Sequence, residues 1–127
     1  TLKNGLSIIT VPFKNTQSVT VLVLVGTGSK YEEIEINGIS HFLEHMFFKG
    51  GKKYPDTLAV AEAIDNVGGI FNAFTDKEIV GYWIKIASPY LPRALDILSD
   101  MLLQAKFEPE EIEKEKGVII EEINLYE

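Results

Sequence analysis

Apolar residues fall along the chain in short blocks whose spacing changes between strand and helix periods. Gly5 to Phe13 alternates loosely and ends near Pro12, which predicts a strand close to a sheet edge. Val19 to Val25 is a β-branched run of strand length, stopped by Gly26-Thr-Gly28. After a Glu-rich polar stretch, the spacing turns helical from Ile39 to Phe48. Ser40 or Asn37 is available as the cap, and Gly50-Gly51 as the stop. Pro55-Asp56 opens a second helix towards Val67, ended by Gly68-Gly69.

Ile70 to Thr75 and Ile79 to Ala87 then read as two strands around a turn at Thr75-Asp76-Lys77. A third helix runs from Ser88-Pro89 or Pro92 to Gln104, and a fourth starts at Glu108-Pro109 and continues to the end. Gly117 lies inside the fourth and costs it about 1 kcal/mol relative to Ala. The predicted order is β-β-α-α-β-β-α-α. Strands arriving in pairs predict an antiparallel sheet with helices on one face, an α+β fold. No repeat, low-complexity segment or linker divides residues 1–127, so they read as one domain.

Composition narrows the class. Hydrophobic residues make up 46% of the 127, enough for a core, and the net charge of −7 disfavours nucleic acid and anionic membrane surfaces as partners. No apolar run approaches the roughly 18 residues that span a bilayer, and no signal peptide is visible. With no cysteine there is neither a disulfide framework nor a thiolate metal site. The chain begins at Thr1 and has its first methionine at Met46, so it is expected to be a truncated or processed piece.

Both histidines fall in one segment, His41-Phe-Leu-Glu44-His45. On a helix, residues four apart share a face, with Cβ atoms about 5–6 Å apart. Two imidazoles so placed can converge on one zinc ion. Glu44 stands beside them on a neighbouring face, where a general base for water belongs, and His-x-x-Glu-His is a zinc-hydrolase pattern. A catalytic zinc takes three protein ligands, so here the third must be Asp or Glu. In the last helix Ile112, Glu115, Ile119, Glu122 and Tyr126 form a stripe at spacings of three and four, an apolar face interrupted by two carboxylates. Carboxylates on such a face need a cation or hydrogen-bond donors. Glu122 is chosen as ligand, with Glu121 on the adjoining face as its rival. Glu115 is expected to orient a ligand histidine.

Three blocks carry a resemblance: His41-Phe-Leu-Glu-His-Met-Phe-Phe-Lys-Gly50, Gly69-Ile-Phe-Asn-Ala-Phe-Thr75 and Glu115-Lys-Gly-Val-Ile-Ile-Glu-Glu122. In order and spacing they resemble the pitrilysin-type (M16) metallopeptidases, nearest the branch of mitochondrial processing peptidase β subunits and their bacterial relatives. Thr1-Leu-Lys-Asn-Gly-Leu6 resembles the family's first strand, and Leu91-Pro-Arg-Ala94 also fits.

The resemblance implies a sheet-and-helix fold of the LuxS/MPP type and zinc held by His41, His45 and Glu122. It makes Glu44 the general base and Glu115 the support of the metal site, in a zinc-dependent endopeptidase. It further implies that Phe71, Asn72 and Ala73 lie on an edge strand that pairs with the backbone of an extended peptide substrate. A C-terminal half, on the same polypeptide, on a partner subunit or in a homodimer, is implied as the rest of the catalytic chamber. Two other functions fit less of the chain: a scaffold subunit, which loses the ligands kept here, and a zinc-stabilised module that captures peptides without cutting them. Lys49, Lys52 and Lys53 read as a solvated loop. The Ile- and Lys-rich wording leans towards a bacterial cytoplasmic member, while the residues leave the compartment open.

Overall fold

A computed structural model describes residues 1–126, the side chain of Tyr126 excepted. Three strands form one antiparallel sheet: β1 (Ser18–Val25), β2 (Ile70–Thr75) and β3 (Val80–Ala87), in the order β1-β3-β2. Four helices accompany it: α1 (Ile39–Phe47), α2 (Thr57–Asp65), α3 (Leu91–Leu103) and α4 (Pro109–Tyr126). This is the α+β architecture that the paired strands predict.

The register sets which side chains face inward. Val21 pairs with Ile84 and Ile84 with Phe71, while Val23 pairs with Tyr82 and Tyr82 with Ala73. Because side chains alternate along a strand, these rows share one face. Val60 and Ile64 of α2, with Ala94, Ile97, Leu98 and Met101 of α3, close over that face to form the core. Leu22, Trp83 and Asn72 make a row on the opposite face, beside Leu24, Gly81 and Phe74.

One predicted element is corrected. Gly5 to Phe13 is not a strand: Ile9 is 86% exposed and Phe13 74%. A strand exists through its ladder, and among the described residues this segment pairs only within its own opening turn, where the Leu2 amide donates to the Leu6 carbonyl. Ile8-Ile9 breaks the alternation and Pro12 removes a donor, so nothing local replaces the missing partner. The order is therefore β-α-α-β-β-α-α.

α1 begins differently from either predicted cap. Gly38 occupies the N-cap position with φ 91°, a left-handed conformation that suits glycine, and it has no side chain to offer. The carboxylate of Glu32 reaches in instead, accepting from the amides of Gly38 at 2.6 Å and Ser40 at 2.8 Å. Those hydrogen bonds hold its carboxyl below the usual carboxylate range against a small cost of burial. At the other end of α1, Met46 is fully buried. Phe47 stacks edge-on against Tyr82 and Phe107, and Phe48 packs on Phe71. These three apolar residues fix how α1 is rotated, and so where the turn before them points.

The loop from α1 to α2 is tied down by α3. Asp100, 8% exposed, accepts from the backbone amides of Lys53 and Tyr54. Asp96 accepts from the Tyr54 hydroxyl at 2.8 Å and pairs with the Lys53 ammonium. Asp56 then caps α2 by accepting from the Ala59 amide at 2.8 Å, as Pro55-Asp56 predicts.

Candidate metal centre

α1 and α4 lie against each other, and their facing sides carry the site. Met46 and the two phenylalanines turn α1 so that His41 and His45, one turn apart, look at α4. On α4, Glu115 is 4% exposed and Ile112, Ile119 and Glu122 are half-buried, while Glu121 is exposed. The stripe read from spacing is thus the side of α4 that packs; its last member, the side chain of Tyr126, lies outside the described residues. Gly117 lies within α4 on its open side, where an added Cβ would meet nothing.

The Nε2 atoms of His41 and His45 stand 3.1 Å apart. Oε2 of Glu122 lies 3.8 Å from the first and 3.7 Å from the second. Donors about 2.05 Å from one centre at tetrahedral angles are about 3.3 Å from each other, so this triangle has the size of three zinc ligands. The three are half-buried, and the chemistry suits zinc: two neutral imidazoles and a carboxylate. The imidazole planes cross at 86°, with the two Nε2 atoms at the near corner of the pair.

Glu115 supports the triangle from behind. Its Oε1 lies 2.7 Å from Nδ1 of His45, the nitrogen turned away from Glu122. With a proton on Nδ1 donated to that carboxylate, Nε2 is left as a lone pair. The second oxygen, Oε2, meets the ammonium of Lys49 at 2.5 Å. Burial by itself raises the carboxyl's pKa; the Lys49 and His45 hydrogen bonds, with their charges, outweigh it and hold Glu115 below the usual carboxylate value.

Glu44 projects beside the histidines and accepts a hydrogen bond from the hydroxyl of Thr75, the last residue of β2. The buried phenol of Tyr82 is pushed well above its ordinary pKa, first by burial and then by the charge of Glu44. It stays neutral beneath the site. Phe71 and Ala73 face the core from β2, while Asn72 is exposed on the other face, its side-chain oxygen accepting from the Ala73 amide at 2.9 Å. Among the described residues β2 pairs only with β3, so one backbone edge of Phe71-Asn72-Ala73 is free.

The site therefore brings together His41, Glu44, His45, Glu115 and Glu122, with Phe71, Asn72 and Ala73 on the strand that ends at Thr75. The reading of Lys49 as a solvated lysine is corrected, since it is largely buried against Glu115. It lies in the turn just past α1, which brings its ammonium back to Glu115 on α4. Thr75 shares the inward parity of Phe71 and Ala73, but its contact with Glu44 depends on tertiary packing that no spacing encodes. Lys53 is exposed and pairs with Asp96.

Two helices on an antiparallel sheet thus bring His41, His45 and Glu122 within reach of one cation. Residues 8–127 match the family described as Insulinase (Peptidase family M16), and the chain belongs to that family. Among its relatives, the uncharacterized zinc protease YmxG of Bacillus subtilis (strain 168) is 46% identical over all 127 residues, which span 31% of that protein. The mitochondrial-processing peptidase subunit beta of Dictyostelium discoideum is 43% identical over 96% of this chain and 26% of its own length. The crystal structure of a protease from Helicobacter pylori superposes with a TM-score of 0.80 at 30% identity, covering 84% of this chain and 26% of that one. The chain is a domain of peptidase type that spans about a quarter to a third of the length of these relatives.

Proposed function

We propose that this chain is the zinc-bearing part of an endopeptidase that hydrolyses extended peptides. The observation that carries the reading is the triangle of His41 Nε2, His45 Nε2 and Glu122 Oε2, with edges of 3.1, 3.8 and 3.7 Å. Names of relatives as zinc proteases support the same metal. Zinc held there supplies Lewis acidity, activating water and polarising a peptide carbonyl.

The chain's own residues do the rest. Glu44, one helical step from the ligands, takes the proton of the attacking water and returns it to the leaving amine. Thr75 holds one oxygen of Glu44 and so keeps the other turned towards the substrate side. Glu115 keeps His45 in the tautomer that presents Nε2. The free edge at Phe71-Asn72-Ala73 takes the peptide as an added strand, with main-chain hydrogen bonds giving affinity. The remainder of the chamber comes from a C-terminal half or a partner subunit, in keeping with the share of its relatives that the chain spans. On this reading residues 1–127 by themselves bind zinc and cut peptides little or not at all.

The test is metal content after dialysis. Wild type and Glu121→Ala are expected to hold one zinc each, and His45→Ala and Glu122→Ala to hold little. Zinc retained in Glu122→Ala but lost in Glu121→Ala moves the third ligand to Glu121. A wild type that binds none removes the proposal.

A further inference from the structure

We infer that Lys49 is a positioning residue for this centre: its ammonium occupies one oxygen of Glu115 so that the other is committed to Nδ1 of His45. The inference rests on the zinc reading for its purpose, but its geometry is independent of any metal. His41 and His45 lie one turn apart on α1, and Lys49 follows in the turn just past its end, from where its ammonium reaches Glu115 on α4. Glu115 meets two of them, with Oε1 2.7 Å from His45 Nδ1 and Oε2 2.5 Å from Lys49 Nζ.

Burial makes this division of labour matter. Glu115 is 4% exposed, and its Oε2 is buried without a well-directed hydrogen bond, so the ion pair with the Lys49 ammonium is what offsets its burial among the described residues. A buried carboxylate oxygen left alone is costly, and the cheapest relief is for the group to rotate about its last torsion. Rotation exchanges Oε1 and Oε2 or swings both away, and either motion loosens the hydrogen bond that orients the imidazole. A cation on Oε2 removes that incentive. Lys49 thus acts on the histidine through the carboxylate, two contacts from the triangle.

A lysine that only neutralised a buried charge would affect folding stability and nothing else. Positioning adds an effect on His45 within the folded state. Both histidines of the chain lie in this site, so selective ¹⁵N-histidine labelling of the full chain gives two imidazoles to follow. The metal-free wild type is expected to show His45 protonated on Nδ1, with that proton slow to exchange. Lys49→Arg should keep this signature, and Lys49→Met should lose it, giving mixed tautomers and fast exchange. In competition with a chelator, zinc affinity should fall roughly tenfold in Lys49→Met and recover in Lys49→Arg, in the range seen when groups behind metal ligands are removed.

A folded Lys49→Met with unchanged His45 tautomer and zinc affinity within about twofold of wild type overturns the inference. Should Lys49→Met not fold, the wild type still decides, because a His45 without a protonated, protected Nδ1 overturns it equally. A wild type that binds no zinc yet shows the tautomer and its dependence on Lys49 sinks the zinc reading and leaves this one standing.

Discussion

The hydroxyl of Thr75 donates to a carboxylate oxygen of Glu44, joining the end of β2 to the middle of α1. One residue thereby connects the strand with the free backbone edge to the side chain beside the histidines. On the proposed reading, the edge that would take the peptide and the hydroxyl that holds Glu44 belong to one strand.

Thr75→Val should therefore lower kcat of the full-length protein about tenfold, the scale expected when a reacting group loses its aim without being removed. KM should change less, zinc content should not change, and Thr75→Ser should restore most of the rate. A Val variant with wild-type kcat would show that Glu44 is aimed by something else.

Glu44→Gln separates cutting from capture. It keeps the shape of the side chain and leaves His41, His45 and Glu122 untouched, so zinc content should match wild type. Hydrolysis by the full-length protein should drop by at least 100-fold, the lower end of what a general base contributes. Persistent hydrolysis would reassign the base, and peptide binding that survives would show that docking does not need it.

Asp100 is expected to matter for stability although it lies away from the centre. Removing it in Asp100→Ala leaves the amides of Lys53 and Tyr54 without the part-buried acceptor that holds them. Unpartnered buried donors cost about 1–3 kcal/mol, so urea unfolding should report a loss in that range or slightly above. Gly51 approaches the same carboxylate closely enough that a Cβ there would fall 2.5 Å from its oxygen, so Gly51→Ala should destabilise as well. A midpoint unchanged by Asp100→Ala would mean that solvent reaches those amides.

Glu32 gives a pH dependence with a definite sign. Its carboxyl is held below its ordinary 4.5 in the folded chain by the amides of Gly38 and Ser40. A depressed folded value means stability that is complete above pH 4.5 and is lost as pH falls through the lower folded value. Compared with Glu32→Gln, wild type should be more stable near neutrality by about 0.5–1 kcal/mol, the usual worth of an N-cap. The two unfolding curves should converge in acid. A difference that stays constant with pH would show that charge on Glu32 is not what caps α1.

How far these relationships can be read from the chain alone depends on their range. The histidine pair, its glutamate and the stripe on α4 were legible because helical periodicity converts spacing into shared faces. β2, β3 and the Asp56 cap were legible because their signals lie within a few residues. The fold class followed from the β2–β3 pair, although β1 arrives alone. Gly5 to Phe13 misled, since an alternating apolar segment carries the wish to pair but not the identity of its partner. Glu32 was missed as a cap because it acts from six residues before Gly38, outside the usual capping window. Lys49 and Thr75 took on their roles only when α4 and β2 came alongside α1.

That α1 and α4 share one centre has a consequence for how the site comes into being. Residues 41 and 122 are separated by most of the chain, with all of α2, β2, β3 and α3 between them. A cation held by both acts as a cross-link that closes this long loop, and the folding free energy and the binding free energy become one quantity. On the zinc reading, the two histidines leave the ribosome long before Glu122, and a complete ligand set would exist only once α4 lies against α1.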